Sequence, residues 1–570
     1  MMHSFKLLSF DTKDREIPLE EQDIESQHNN SGFSQKEFNV QMFGVNEKGK
    51  TASIMVKGYT PFFYVKVGDH WDESMKVQFA AQISMDVGEN TARSIVETKL
   101  IKKKKLYGFD GGKKYNFVQI KFKNETAMKK TKALWYTTTR NGNIQSDYRL
   151  NPDGYMFHDS STLLYEAQIP PLLRLFHIKE ISPSGWIGLP CNKTKKNSYK
   201  TTSCDYEFVL NYKHIIPLPK KETIVPYKIC SFDIEASSSH GDFPLPVKNY
   251  KKLATNILEL CKDDQKTYSS DYIKSIIKTA FGFDMIENVD KVFTKNSTPT
   301  LRQIEDNFEL WSKIKPAMYK AELEIDEDDI GINDVVGGTE VNEEKENNEE
   351  NDTSNTGEEY DKKQPFNIKH MFSKKQGYKK QGTIIDMINN KEETRDTKLN
   401  ELIRTLTNTF PPLHGDIVTF IGSTFMRFGE KKPYLNHCIV RDTCDDVSNA
   451  TIESYKTEKE VLLAWANLIQ KENPDIIIGY NIFGFDYQFM YLRAKELGCE
   501  RAFLQLSRNK NEICLKRDYR TGKEGLEENT LVIASGQHDL KYAKMTGRLQ
   551  IDLYNYFRRD YQLSQYKLDY

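Results

Sequence analysis

Apolar and polar positions alternate between residues 38 and 67, with Val40, Met42 and Gly44 followed by Ile54, Val56, Phe62, Tyr64 and Val65. Breaks fall at 46–49 and at Tyr59-Thr60-Pro61. A period of two predicts strands, and Gly, Asn and Pro at the breaks predict the turns between them. The pattern predicts a further strand at 117–122, a helix at 126–135 and a strand at 227–236. The period then changes. Ile273, Ile276, Ile277, Ala280 and Phe281 recur at helical spacing, as do Leu399, Leu402, Leu406 and Phe410, where Pro411-Pro412 stops the run. Residues 416–498 alternate the two types, with strands predicted at 417–426, 434–440 and 475–479. The helix before the last of these opens on a capping box, Thr457-x-x-Glu460, and buries Val461, Leu462, Trp465, Leu468 and Ile469. Asn473-Pro474 ends it, and a second helix is predicted at 485–497. The chain therefore reads as α/β and multidomain, a mixed β-rich N-terminal region followed by an α/β layer. No internal repeat is visible.

Composition narrows the class. The chain has 570 residues, enough for several domains, and 38% apolar content excludes a wholly disordered chain. Eight cysteines without a C-x-x-C pair give no zinc-ribbon signal and suit reduced thiols in an intracellular setting. The first residues lack the apolar core of a secretory leader, and no apolar run approaches the ~20 residues of a membrane span, so no membrane partner is expected. The net charge of −1 hides an uneven distribution. Residues 322–361 hold 17 acidic residues and one basic residue, and the remaining chain carries +15. An acidic, aromatic-poor stretch of this kind, taken as 322–365, predicts a disordered linker joined to a basic body.

Candidate chemistry sits on the strand Ser231-Phe232-Asp233-Ile234-Glu235-Ala236. Cys230, Phe232, Ile234 and Ala236 share its apolar face, and Asp233 and Glu235 share the other. Two carboxylates side by side repel unless a cation lies between them, and Mg²⁺ or Mn²⁺ prefers oxygen ligands. Asp486, at the predicted start of a helix after Gly479-Tyr480-Asn481-Ile482-Phe483-Gly484-Phe485, is a candidate third carboxylate or a plain N-cap. Three convergent carboxylates would suit two metal ions about 3.5–4 Å apart, as in nucleases that hydrolyse phosphodiesters.

Phe232-Asp233-Ile234-Glu235 followed by Phe243-Pro244 resembles the first exonuclease motif of family B DNA polymerases. Gly479-Tyr480-Asn481-Ile482-x-x-Phe485-Asp486 is similar to the second. Gly58-Tyr59-x-Pro61-Phe62-Phe63-Tyr64-Val65, Tyr165-Glu166-Ala167-x-Ile169-Pro170-Pro171-x-x-Arg174, Gly185-Trp186-Ile187 and Gly547-Arg548-Leu549-Gln550-Ile551-Asp552-Leu553 agree with delta-like members, including those of large DNA viruses. The resemblance implies an N-terminal polymerase domain at 1–222 and an RNase H-like 3′→5′ exonuclease domain, incomplete at its C-terminus, at 223–250 and 405–570. It leaves 251–404 as a helical and disordered insertion. It implies two-ion catalysis by Mg²⁺ or Mn²⁺ on Asp233, Glu235 and Asp486, with Tyr480, Asn481 and Phe485 contacting DNA at the frayed primer end. Implied partners are DNA (primer 3′ end and single-stranded template), the remaining polymerase half in cis or in trans, and a sliding clamp. The implied location is intracellular, in the nucleus or at a viral replication site in the host cytoplasm.

The pattern departs from the family in two places. The third exonuclease motif, Tyr-x-x-x-Asp, is not found where the family carries it; Tyr556-Phe557-Arg558-Arg559-Asp560 has that spacing but falls too early. The palm motifs Ser-Leu-Tyr-Pro-Ser and Tyr-Gly-Asp-Thr-Asp-Ser are absent from the sequence. The resemblance therefore implies the N-terminal part of a polymerase, weak or inactive as an exonuclease by itself. A stand-alone metal-dependent exonuclease and a non-catalytic DNA-binding fragment are the alternatives. Lysines 102 to 105, followed by Tyr107 and Phe109, are a candidate grip on single-stranded template or a solvated basic loop.

Overall fold

Strands with one apolar phase pair into sheets that bury that phase, and three such sheets organise the protein. The computed structural model describes residues 2–17, 36–105, 111–140, 146–197, 199–239, 241–263, 265–295, 297–316, 382–518, 521–533, 536–561 and 563–568. The acidic stretch 322–365, together with Tyr107 and Phe109, lies outside them. The chain divides into two units, Met1–Ser237 with Ile417–Tyr570, and Ser238–Asp416.

In the first unit the alternation at 38–67 becomes the strands Lys36–Val45, Thr51–Lys57 and Phe62–Lys66. The first two join Met2–Glu16, Trp186–Pro190, Tyr206–Asn211 and two short strands in a seven-stranded sheet. Phe5, Val40, Ile54, Leu175 and Phe208 form its core. A five-stranded sheet has the spatial order Ile95–Lys104, Lys114–Phe122, Phe62–Lys66, Ser160–Tyr165, Tyr155–Phe157. The helices Glu73–Val87 and Glu125–Lys132 cover one face of it, where Phe79, Ile83, Ala127 and Met128 pack on Phe63, Val65, Val118 and Ile120.

The six-stranded sheet carries the motif residues. Its order is Thr451–Tyr455, Leu435–Arg441, Ile417–Arg427, Lys228–Ser237, Ile476–Gly479, Leu549–Asp552. Lys228–Ser237 is central, antiparallel to Ile417–Arg427 and parallel to Ile476–Gly479. The helix Glu458–Glu472 begins at the expected capping box, with both reciprocal bonds of Thr457 and Glu460 made. It buries Val461, Leu462, Trp465, Leu468 and Ile469, and Phe232 packs on Trp465 with ring centroids 4.9 Å apart. The strand Thr451–Tyr455 was not expected from the pattern, because its exposure shows no buried alternation to read.

The second unit is helical in its described part. Lys251–Leu260, Ser270–Ala280, Leu301–Ser312, Ile384–Asn389 and Arg395–Thr409 enclose a core of Tyr250, Ile257, Ile276, Trp311, Leu402 and Phe410. Trp311 Nε1 donates to Thr405 Oγ1 at 3.0 Å inside it. Near the unit's ends, Asp416 accepts from the backbone N–H groups of Ser239 and Leu245 and pairs with Lys248 at 2.5 Å.

A buried ionic knot locks the turn that feeds the strand Ile476–Gly479. Asp475 accepts from Arg508 Nη2 at 2.6 Å and from the backbone N–H of Lys228 at 2.8 Å. Arg548 donates to Asn473 Oδ1, to the carbonyl of Pro474 and to that of Leu506. Burial and the neighbouring Arg508 charge push the Arg548 guanidinium down to about 9. One carboxylate thus compensates two buried guanidinium groups, and carbonyl oxygens of Asn473, Pro474 and Leu506 accept from their other bonded N–H groups. Removing it strands both charges, so Asp475→Ala is expected to lower stability by about 3–5 kcal/mol, read from the chemical denaturation midpoint.

Candidate exonuclease site

The strand Lys228–Ser237 has the expected face pattern. Cys230, Phe232 and Ile234 are buried, and Asp233 and Glu235 are exposed on the opposite side. Asp233 lies opposite Gly422 and Glu235 opposite Phe420 on the antiparallel neighbour. The parallel neighbour Ile476–Gly479 carries the chain into the second motif beside them.

The turn after Gly479 is held closed by its own residues. A Cβ on Gly479 would meet Ile482 Cγ2 at 2.3 Å, so only glycine lets Ile482 fold back into the core. Asn481 has a left-handed backbone, φ 61°, which asparagine tolerates. Its carbonyl accepts from the N–H groups of Gly484 and Phe485 at 3.0 and 2.9 Å. A Cβ on Gly484 would lie 2.3 Å from Asn481 Oδ1, so this glycine makes room for the Asn481 side chain. The helix Asp486–Glu496 then begins.

Asp486 is 3% exposed and its carboxyl lies against that of Asp233. Burial, and then the Asp233 charge, push its pKa up to about 8. Its Oδ1 is buried and has no hydrogen-bond partner. The N-cap of the helix is Phe485, so the plain capping role weighed for Asp486 is not the one it takes. Two observations fit a divalent cation here: an orphaned buried carboxylate oxygen, and a donor set made of carboxylates, which hard cations take. The structure thus brings Asp486 to Asp233. It does not gather all three acids: among the described residues no group of three or more His, Cys, Asp or Glu side chains is close enough to hold a metal ion.

The expected DNA-contacting residues lie on the turn that leads into Asp486. Asn481, Tyr480 and Phe485 are half-buried. The Phe485 ring packs on Phe489 at 5.3 Å, and the Tyr480 hydroxyl donates to the carbonyl of Tyr566. Tyr556 and Asp560 lie on the helix Leu553–Asp560, where Asp560 pairs with Arg559. A cleft of about 640 Å³ lined by Asp11, Lys13, Glu512, Arg517 and Thr546 includes none of the motif carboxylates.

One functional residue received no role from sequence reasoning. Asp552 is buried and accepts from the backbone N–H groups of Asn481 and Phe483, each at 2.9 Å. It also accepts from Tyr554 N and Asn555 Nδ2, capping the helix that follows. Burial raises its pKa and these N–H groups oppose the rise. Asp552 is a positioning residue for the motif turn. The signal was an acid within the family-like segment Gly547–Leu553, but its partners lie 71 and 69 residues away, beyond any local pattern.

Comparison with known proteins identifies the family. The family model described as DNA polymerase family B, exonuclease domain, matches residues 163–310 and 332–570. The DNA polymerase of Phaeocystis pouchetii virus is 41% identical over 548 residues, 94% of this chain and 51% of that protein. The DNA polymerase of Pyramimonas orientalis virus is 30% identical over 556 residues, 95% of this chain and 40% of that protein. The DNA polymerase delta catalytic subunit of Arabidopsis thaliana is 35% identical over 162 residues, 28% of this chain and 14% of that protein. The chain spans about half the length of the first relative and less of the others. With the family's exonuclease-domain model matched along most of its length, the chain belongs to the family B DNA polymerases, related to viral and delta-like members.

Proposed function

We propose that this chain supplies the 3′→5′ proofreading exonuclease of a family B DNA-directed DNA polymerase. The observation that carries the reading is the buried Asp486 carboxyl held against Asp233 at the end of two parallel strands, with its pKa pushed up to about 8. Asp233, Glu235 and Asp486 would hold two Mg²⁺ or Mn²⁺ ions, which when bound supply charge stabilisation and an activated water for in-line phosphodiester hydrolysis. Asn481 and Phe485, with Tyr480 beside them, would orient the terminal nucleotide, and Asp552 would keep that turn in register. The strand order around Lys228–Ser237 supports an RNase H-like domain, taken as 223–250 and 405–570, beside an N-terminal domain at 1–222 and an insertion at 251–404. The proposed partners are the primer 3′ end, the single-stranded template, the rest of the polymerase in cis or in trans, and a sliding clamp. The proposed location is intracellular, in the nucleus or at a viral replication site.

The lack of a gathered group of three ligands among the described residues favours a second reading, a module that binds DNA ends without cutting them. A labelled duplex with a mispaired 3′ end separates the two. With Mg²⁺, the unmodified chain, expected to be weak by itself, should still shorten the mispaired strand slowly but above the rate without Mg²⁺. Asp233→Ala with Glu235→Ala is expected to lower the rate at least about 10³-fold while DNA affinity stays within about threefold. Binding without any shortening would favour the second reading.

The raised Asp486 pKa has a signed consequence. The unfolded carboxyl ionises near 3.8, and the folded one holds its proton to about 8. Stability contributed by the protonated form is fully present below pH 3.8 and is lost as pH rises through 8. In chelator, Asp486→Asn is therefore expected to be more stable than the unmodified chain at pH 8, by on the order of 3–5 kcal/mol, and to match it at pH 4. Mg²⁺ should raise the melting temperature of the unmodified chain at pH 8 and leave the variant unchanged. Equal Mg²⁺ shifts in both would remove Asp486 from the ion site.

A further inference from the structure

The strand that carries Asp233 and Glu235 has two neighbours, and the motif turn belongs to only one of them. Ile476–Gly479 lies on one side and leads into Asn481, Phe485 and Asp486. Ile417–Arg427 lies on the other side. Residues directly opposite each other in an antiparallel pair share a face of the sheet. Gly422 therefore shares the carboxylate face with Asp233, and Phe420 shares it with Glu235.

Phe420 is unusual on that face. Ile421, Ser423 and Phe425 are the buried phase of its strand, and Phe420, Gly422 and Thr424 are the other phase. The Phe420 ring is half-buried, yet among the described residues it joins neither the apolar core of the sheet nor another aromatic ring. It leans along its strand over Gly422: a Cβ on that glycine would meet Phe420 Cε1 at 3.1 Å and Cζ at 3.4 Å. Opposed residues have their Cβ positions about 4.5–5.5 Å apart, so the ring edge lies within about 9 Å of Asp233 Cβ. Glycine at 422 permits this, because any side chain there would take the space of the ring and stand between it and Asp233.

The carboxylate strand is thus flanked by Phe485 on the motif turn and by Phe420 on the antiparallel neighbour. Two ions on the carboxylates would stand about 3.5–4 Å apart with the scissile phosphate between them and the strand's solvent side. One nucleoside then extends to each flank. Asn481 and Phe485 take the terminal one in the exonuclease reading. The other flank offers an apolar ring with no ring partner of its own, and such a ring stacks on any base.

We infer that Phe420 binds the penultimate nucleoside of the primer strand, across the scissile phosphate from Asn481 and Phe485, and that Gly422 keeps the ring in place. The inference rests on the reading of Asp233, Glu235 and Asp486 as an exonuclease site and deepens it. Phe420 acts on affinity and has no part in the chemical step.

Binding tests this without relying on cleavage. The probe is 5′-labelled dT4, titrated by fluorescence anisotropy with the full 570-residue chain in Ca²⁺, which takes carboxylate oxygens. Phe420→Ala is expected to weaken binding about tenfold. An abasic residue at the penultimate position should weaken the unmodified chain by a similar factor and weaken Phe420→Ala no further. An abasic residue at the 3′ terminus should weaken both proteins alike. Gly422→Ala retains Phe420 but displaces its ring, so it should weaken binding by itself and add nothing to Phe420→Ala. Losses from Phe420→Ala and from the penultimate abasic residue that multiply would overturn the inference, since a ring with a purely structural role does not couple to one base. Coupling to the terminal residue instead would overturn the assignment to the penultimate nucleoside. Coupling in Ca²⁺ with no cleavage in Mg²⁺ fails the exonuclease reading alone, and cleavage in Mg²⁺ without coupling fails this inference alone.

Discussion

Two carboxyl groups pressed together at the end of a buried helix set the terms for the rest of the first unit. Desolvation and the Asp233 charge both oppose ionisation of Asp486, so the contact is unfavourable in the ion-free protein near neutral pH. It persists because the surroundings leave the helix Asp486–Glu496 no freedom to withdraw. Tyr487 and Phe489 are buried in the core beside Phe232 and Trp465. Arg493, fully buried, donates to both oxygens of Glu458, at 2.9 and 2.7 Å, and Glu458 also accepts from the backbone N–H of Val418. That chain of bonds ties the helix to the strand that pairs with Lys228–Ser237. From the other side Asp552 holds two N–H groups of the motif turn. Strain at one point is sustained by over-determination around it.

Much of this site was legible because its determinants are local. The alternation of Cys230, Phe232 and Ile234 with Asp233 and Glu235 is a property of any half-buried strand, and it stated which face the acids take. The capping box at Thr457 and the stop at Asn473-Pro474 bounded the neighbouring helix within a residue or two. What escaped was long-range. Asp552, Arg508 and Arg548 act through partners tens of residues away, and nothing in their local sequence separates a buried clamp from a surface charge. The strand Thr451–Tyr455 escaped for the opposite reason: at the sheet edge, with little burial, it has no apolar phase to display.

The charges of this chain fall into two populations. Asp475 with Arg508, Glu458 with Arg493, and Asp416 with Lys248 are buried opposite charges whose lone pairs and protons are largely met by backbone groups. They fix turns and helix placements, and their removal would be felt as lost stability. Asp486 against Asp233, and Lys104 opposite Lys114, are like charges brought together by the backbone itself. No folding requirement explains them, because a neutral residue at either position would ease the fold. Agreement between local preference and global structure is the normal state of a sequence, and its breach marks places where another demand has entered. The two breaches here have opposite sign. An acidic pair suits a hard cation and a basic pair suits an anion, so each breach marks a place where a counter-charge from outside the chain would ease the fold.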